Sequence, residues 1–578
     1  MNLKIKIYLT ALVLVFILNS CDNPFVVDDK EFINKDLVVS NESYIVGLWA
    51  NLYHSFNNGF QEVGTAMLAS ACDEADSNVP FGSTNAFNQG SWNSYNNPYG
   101  KAWTYMYSVL NNASYFLEVS DTTLNKDMVF YKDYIKFPDN KLKYNTFLAN
   151  LKGWRADARF FKAYHHFQLW KMYGNVPIVD KVLSKDEALG LKQATKEEVV
   201  NYIDTTLNRV IKELDELERM PNTIYTSGKW NSNNLGRITK GAALALKCRM
   251  YLYAASPLYN NGTYNKAYCD SAARAAAKII NMNIYSLNIS YSAMQFDRTL
   301  ANPENILDYR SGVGNLNYFE LQNYPKGGEA QYVNVDGICS NATCPSQNLV
   351  DAYEKLPGYT STLPFQNLDA RFKLTILCDG DVANGKEVEC FKGGVAGIGD
   401  KNATTTGYYL KKFVVDKVTL PVGTQPAHIW YVFRYGEVLL NYAEAMFNAY
   451  GESTKKGYVT NGPDMSALDA INKTRLRTGL TGNIAITSPL NNEKIQKERQ
   501  VELAFEGHRF WDVRRWKIAE ISENAPLRGM FIIKNSDNTK TYNPRYEVEK
   551  RLFTAGMEHF PIPYTEMNQY PSWTQNWW

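Results

Sequence analysis

The sequence predicts a mainly α-helical protein: a tetratricopeptide-like array of helix pairs with a large irregular loop and short-strand region packed on one face. Three observations carry that expectation. Four pairs of segments place apolar residues at steps of three and four, with a short break or loop inside each pair. Residues 282–428 interrupt this spacing with loops, turns and short-strand patterns. Residues 494–516 then concentrate charged and large aromatic side chains in a helix, a break at Gly507 and a second short helical segment.

The chain opens with Lys4 and Lys6, followed by an apolar run from Ile7 to Leu18. Such a run suits the core of a secretory leader and is too short to span a bilayer comfortably. It ends in Leu18-Asn19-Ser20-Cys21, which resembles a lipobox. The resemblance implies cleavage before Cys21 and acylation of that residue. Several acyl chains hold a protein firmly on a membrane, where one chain is marginal. No later apolar run is long enough to cross a bilayer.

The first helix, 41–56, pairs with 101–118, whose helical spacing runs through Tyr105, Val109, Asn112 and Phe116. Between them, 57–100 is rich in Asn, Gly, Ser and aromatics and shows no periodicity, as functional or disordered loops do. Residues 147–173 put Phe147, Leu151, Trp154, Ala158 and Phe161 on one face and stop at Gly174-Asn175-Val176-Pro177. Their partner, 195–219, opens with the capping-box pattern Thr195-Lys196-Glu197-Glu198 and is seamed by Ile203, Leu207, Val210, Leu214 and Leu217. Alanine-rich 236–255 pairs with 264–280. Residues 430–449, seamed by Val432, Tyr435, Leu439, Tyr442 and Met446, pair with 465–478.

In 494–516, Glu498, Glu502 and Glu506 recur every four residues, a spacing that repels in an isolated helix. Arg499 and Arg509 stand three residues from Glu502 and Glu506, and Arg514 and Arg515 bring further cations. The segment reads as a partly buried ion network wrapped in Phe505, Phe510, Trp511 and Trp516. Glu502, Glu506, Arg509 and Arg514 are expected to fix how this helix docks and to do no chemistry.

A net charge of +2 without any basic stretch argues against a nucleic-acid partner. The 39 Tyr and 12 Trp, with Asn-rich loops, suit polar recognition surfaces. Beyond Cys21 seven cysteines remain, so at least one stays unpaired in a monomer. Cys339 with Cys344, and Cys378 with Cys390, are close enough in sequence to close small loops in an oxidising compartment. Asp73, Glu74 and Asp76 cluster in the N-terminal loop, but glycoside hydrolysis needs two carboxylates at a set separation, and nothing here fixes one. Loop structure accounts for the cluster, with a structural calcium ion as the other option. The six histidines form no HExxH, and neither a Walker loop nor GxSxG occurs, so neither catalysis nor another cofactor is expected.

Residues 498–516, ERQVELAFEGHRFWDVRRW, resemble the segment that marks the SusD/RagB family, the surface nutrient-binding lipoproteins of Bacteroidetes. Other blocks follow the family in order. They are Arg159 to Tyr164 with Met172 to Pro177, Pro345-Ser346-Gln347 with Leu349 to Tyr353, Asp369 to Phe372, Arg434 to Ala445, Asn472 to Gly479, and Phe560 to Glu566 with Gln575-Asn576. These are scaffold motifs and say little about the ligand. The resemblance implies an outer-membrane, surface-exposed lipoprotein that binds an oligosaccharide or polysaccharide and delivers it to a SusC-like TonB-dependent transporter. The RagB branch implies peptide capture as the alternative. A pure assembly scaffold would leave the long aromatic loops without a purpose. Asp22, Asp28 and Asp29 resemble the signal that sends such lipoproteins to the outer face. The implied layout is a signal peptide (1–20), an acylated tether (21–40), an N-terminal helical region (41–281) with a glycan-facing loop (57–100), and a C-terminal region (282–578). The last contains the irregular insertion 282–428 and the helices of 430–517.

Sugar rings present C–H faces and a rim of hydroxyls, so a glycan site wants flat aromatics beside amides or charged groups. Two stretches supply both. Trp92, Asn93, Tyr95, Asn96, Asn97 and Tyr99 follow Asp73 and Asp76 in the N-terminal loop. Asn315, Asn317, Tyr318, Phe319 and Tyr324 lie in the irregular region. The expected contacts are Trp92, Tyr95, Asn96, Tyr99, Asp76, Tyr318 and Tyr324, with Trp92 as the main platform.

Overall fold

The computed structural model describes residues 35–56, 58–79, 83–121, 141–219, 225–231, 234–297, 299, 302–311, 317–325, 342–383, 385–400, 402–415 and 427–576. Cys21, Cys339, Asn315 and the side chains of Asn317 and Tyr318 lie outside the described residues.

Among the described residues, nine helices of nine residues or more carry the array: α1 (Glu42–Leu52), α2 (Ala102–Val119), α3 (Lys141–Tyr173), α4 (Lys196–Glu218), α5 (Lys240–Ala255), α6 (Lys266–Asn281), α7 (Tyr435–Tyr450), α8 (Ala467–Arg475) and α9 (Asn492–Glu502). Each of the four expected pairs packs together, and α2 on α3, α4 on α5 and α6 on α7 join the pairs into one stack. The α4 seam is buried from Val199 through Ile203, Leu207, Val210 and Leu214 to Leu217. Full burial of such side chains stabilises by about 1.5–3 kcal/mol each before entropy is counted. The Thr195 box closes as the sequence indicates, its hydroxyl accepting from the Glu198 N–H while the Glu198 carboxylate accepts from the Thr195 N–H. Alanines 242, 243 and 245 of α5 and 272, 273, 275, 276 and 277 of α6 are buried, which brings these two helices close.

Two boundaries differ from expectation. Residues 430–434 are strand: β1 (Asn305–Arg310) pairs antiparallel with β2 (Ile429–Arg434), and α7 starts only at Tyr435. A short, fully buried run of aromatic and β-branched residues fits either element, and pairing with β1 decides for the strand. Thr239 caps α5, so that helix begins four residues later than its alanine pattern implied.

The irregular region does more than drape over the array. Phe319, Tyr353, Phe372, Ile376, Tyr408 and Leu410 form a second core with Phe60, Phe505, Met530 and Ile532. The hairpin of β3 (Leu527–Lys534) and β4 (Lys540–Glu549) contributes to it from the C-terminal side. Cys378 and Cys390 both lie in this core without a disulfide, and Cys378 Sγ is 2.9 Å from Lys373 Nζ.

The ion network is wholly buried. Glu502 accepts from Arg371 (3.0 Å), Arg434 (2.9 Å) and Arg477 (2.6 Å). Glu498 accepts from Arg371 (2.6 Å) and Arg475 (3.1 Å), and Glu506 accepts from Arg434 (2.7 Å) and Lys412 (2.7 Å). Glu502 and Glu506 thus sit inside an ion network, but their cations come from far along the chain. Arg509 instead makes a two-armed bridge to Asp73 (2.8 and 2.7 Å). Arg514 donates to the Phe510 and Met557 carbonyls and lies 3.5 Å from the Phe510 ring centroid. The reason is that α9 stops at Glu502: Phe505 takes φ 62° and Gly507 φ 74°, which breaks the four-residue register.

Candidate functional site

A cleft of about 840 Å³ opens where the array meets the second core. The loop behind α1 gives Phe56 and Glu62, the approach to α2 gives Tyr99 and Lys101, the first turn of α2 gives Tyr105, and α3 gives Tyr164, Gln168 and Lys171. Arg249 of α5, Trp430–Val432 of β2 and the turn Glu506–His508 complete it. Gly59 makes the closure feasible: at φ +63° its missing Cβ would stand 2.1 Å from the Trp430 ring, so a side chain there would push the loop off β2.

The aromatic surfaces are placed differently from the sequence expectation. Trp92 is only 2 % exposed, wedged edge-on between Phe87 (5.0 Å) and Phe560 (5.1 Å). It cannot stack on a glycan, because both rings it meets belong to the core. The N-terminal loop is Asn- and Gly-rich yet largely folded, with Phe60, Val63, Met67, Leu68, Cys72 and Phe87 buried. Tyr324 is buried and its hydroxyl donates to the Val415 carbonyl, and Phe319 packs on Phe60 at 4.9 Å. Asp76 is buried with Arg551 at 3.8 Å, and burial followed by Glu549 raises its pKa. Of the expected contacts, Trp92, Tyr324 and Asp76 are therefore buried rather than offered to a ligand.

Tyr95 lies at the surface. It is 73 % exposed and stacks on the exposed Tyr564 at 4.1 Å, a flat aromatic pair facing solvent. Asn96 is exposed beside it, its N–H donating to Asn93 Oδ1 at 3.1 Å. Tyr99 is half-buried in the cleft wall, and burial followed by Glu62 holds its phenol well above the usual range. Tyr105, which the sequence places in the helix-packing pattern of α2, is 48 % exposed and lines the cleft. Its hydroxyl donates to the His54 carbonyl at 3.2 Å, which fixes the ring.

The charged floor is unusual. Lys171 Nζ lies 4.1 Å from the Trp511 ring centroid, and burial pushes its pKa down to about 7, with Glu62 opposing that shift and Arg249 adding to it. Arg249 is held by Glu437 (2.7 and 2.6 Å) and the Val432 carbonyl (2.6 Å). His508 is held neutral by burial and then by Arg249, Arg499, Arg434 and Lys171. His165 is pushed down to about 3 by burial, with its ring 2.9 Å from the Ser55 hydroxyl.

No carboxylate pair is set up for hydrolysis in the N-terminal cluster. Asp73 is engaged by Arg509, and Glu74 is buried with its pKa raised to about 8 by burial and Asp73. Among the described residues no group of three or more His, Cys, Asp or Glu side chains is placed to hold a metal ion.

Two family models match the chain: one described as the SusD family over residues 303–577, and one described as starch-binding and associating with the outer membrane over 27–252. The chain belongs to the SusD family. Among solved structures, a SusD-like protein from Bacteroides fragilis matches with a TM-score of 0.72 at 19 % identity, covering 95 % of this chain and 99 % of that one. A SusD-like carbohydrate-binding protein from the same species matches with a TM-score of 0.69 at 20 % identity, covering 92 % and 99 %. A laminarin-binding SusD-like protein matches with a TM-score of 0.59 at 20 % identity, covering 93 % and 99 %. At these identities the likeness is one of fold. No curated protein matches the chain by sequence. The SusD fold of this chain contains no described helix long and apolar enough to cross a membrane.

Proposed function

We propose that this SusD-family protein is a lipid-anchored, outer-membrane lipoprotein that captures an oligosaccharide in the central cleft and passes it to a SusC-like TonB-dependent transporter. The carrying observation is Tyr105: a half-exposed ring, fixed through its hydroxyl, on the wall of an 840 Å³ cleft. A ring so held offers a sugar C–H face at little entropic cost. Tyr95 stacked on Tyr564 extends the aromatic surface, and Asn97, Gln168 and Glu62 supply partners for hydroxyls. The engaged or buried carboxylates of the N-terminal loop favour binding over hydrolysis. Lipid attachment rests on the Leu18 to Cys21 box, and the transporter on family resemblance.

A glycan array run beside a peptide pool tests the ligand class, and peptide-only binding would overturn the glycan reading. Cys21→Ala should release the body from membranes, and sedimentation of that variant with membranes would overturn the anchor. Purification from native membranes in mild detergent should bring a large barrel protein along, whereas a solitary lipoprotein under several detergents would count against the transporter.

A further inference from the structure

We propose that the floor of the cleft is an anion subsite, in which Lys171 and Arg249 take the carboxylate of an acidic sugar residue. The inference rests on the glycan reading of the same cleft and narrows it to uronate-bearing glycans.

Lys171 projects from the last turn of α3 into the cleft, steadied by the Trp511 ring. Among the described residues the Trp511 ring is its direct contact, and the Glu62 carboxylate acts on it electrostatically. Arg249 spends Nε and Nη2 on Glu437 and Val432, and among the described residues Nη1 has no acceptor. Glu437 also locks the guanidinium plane, so this donor is preorganised at the cleft wall. Both cations have apolar backing, Trp511 behind Lys171 and Phe433 at 4.2 Å from the Arg249 guanidinium. That apolar backing lowers the local dielectric, so a ligand anion gains more than it would beside a fully solvated cation.

Two of the three nearby carboxylates are spent on other cations. Glu506 is taken by Arg434 and Lys412, and Glu437 by Arg249. Glu62 is the carboxylate that acts on Lys171, and it also faces the Tyr99 hydroxyl. His508, at the bottom, is surrounded by cations and stays neutral, free to share a hydrogen bond with a sugar hydroxyl. A neutral sugar would cover the Lys171 ammonium without pairing it, at a desolvation cost. A uronate pairs it, while the ring hydroxyls meet Glu62 and Gln168.

The test is calorimetric titration of the full chain with oligogalacturonate, oligoglucuronate and mannuronate-rich oligosaccharides, each beside its carboxyl-reduced counterpart. At least one oligouronide should bind roughly tenfold to a hundredfold more tightly than its reduced form, the span of one or two charge-assisted hydrogen bonds. Lys171→Met should bring that ratio to near one, by weakening the oligouronide and relieving the cost that the buried ammonium imposes on the reduced form, and Lys171→Arg should preserve the preference. Equal affinities, a ratio unmoved by Lys171→Met, or a stronger preference for sulfated sugars or acidic peptides would overturn the subsite. Binding of neutral glycans that Tyr105→Ala abolishes, without any acidic preference, would sustain the glycan reading and sink this one alone. Failure of every glycan to bind would sink both.

Discussion

Arg434 grips Glu506 with two donors, Nε at 2.7 Å and Nη2 at 2.8 Å, and so ties the end of β2 to the turn that follows α9. Lys412 holds the other side of the same carboxylate at 2.7 Å, and all three groups are buried. Glu506→Ala would leave two buried cations short of a partner. The expected cost is roughly 3–5 kcal/mol in chemical denaturation. Glycan affinity of the folded fraction should change little. A variant that keeps its stability but loses binding would make Glu506 a ligand contact.

Acid should unfold the protein through the same kind of group. Glu502 is held at about 2, its burial outweighed by Arg477, Arg434 and Arg371. Glu444 is likewise held at about 2 against burial, by Arg515, which donates at 2.5 and 2.8 Å, and then by Arg499. Both folded values lie below the usual 4.5, so the stability they contribute is present above 4.5 and lost as pH falls through about 2. Each is worth about 3 kcal/mol on that scale. The melting temperature should drop steeply between pH 4.5 and 2, and Glu444→Gln should flatten the drop while lowering stability at pH 7.

Glu74 bends the curve at the other end. Burial, then Asp73, raises it to about 8, with Arg509 opposing. A folded value above the unfolded one adds stability below about 4.5 that is lost as pH rises towards 8. Glu74→Gln removes the charge that must otherwise be buried. It should be near neutral at pH 4 and should raise stability at pH 8.5 by an amount on the order of 4 kcal/mol. Equal melting shifts at both pH values would show that Glu74 is not buried as a neutral acid.

Trp92 and Tyr95 separate core from surface within three residues of each other. Trp92→Ala should cost about 3–5 kcal/mol, because it empties the space between Phe87 and Phe560. Tyr95→Ala, at an exposed stacked pair, should leave the melting temperature almost unchanged. Thermal denaturation of the two variants decides. Unchanged melting in Trp92→Ala would place that ring outside the core.

These two rings also mark where the sequence stops being legible. The α4 seam and its capping box could be read directly, since both depend on spacing within one helix. The helix pairs followed from the same local signal. The partners of Glu502 could not be read, since Arg371, Arg434 and Arg477 are brought in by tertiary packing. Nor could Trp92, because Asn-rich surroundings suggested solvent while Phe560, over four hundred residues on, completes its burial. The β2 strand was hidden for a related reason: its apolar run is short, and only pairing with β1 distinguishes it from a helix turn. Tyr105 falls on the helical period of α2 yet is 48 % exposed, because period alone does not say which face meets the protein.

Tyr105→Ala tests the site itself. The ring is half-exposed and its hydroxyl bonds a backbone carbonyl at 3.2 Å, so its loss should cost little stability. If it is a sugar platform, affinity for a bound glycan should fall by about 1–3 kcal/mol, the range for aromatic platforms that stack other flat ligands. Tyr105→Phe keeps the ring and loses only the bond to His54, so it should retain most of the affinity and show a looser, entropically costlier complex. Tyr95→Ala should weaken longer oligosaccharides more than short ones, because the Tyr95–Tyr564 pair lies at the surface and does not line the cleft. Titration calorimetry across a length series reads all three. A Tyr105→Ala protein with unaltered glycan affinity would move the binding surface out of the cleft, to the exposed aromatic pair.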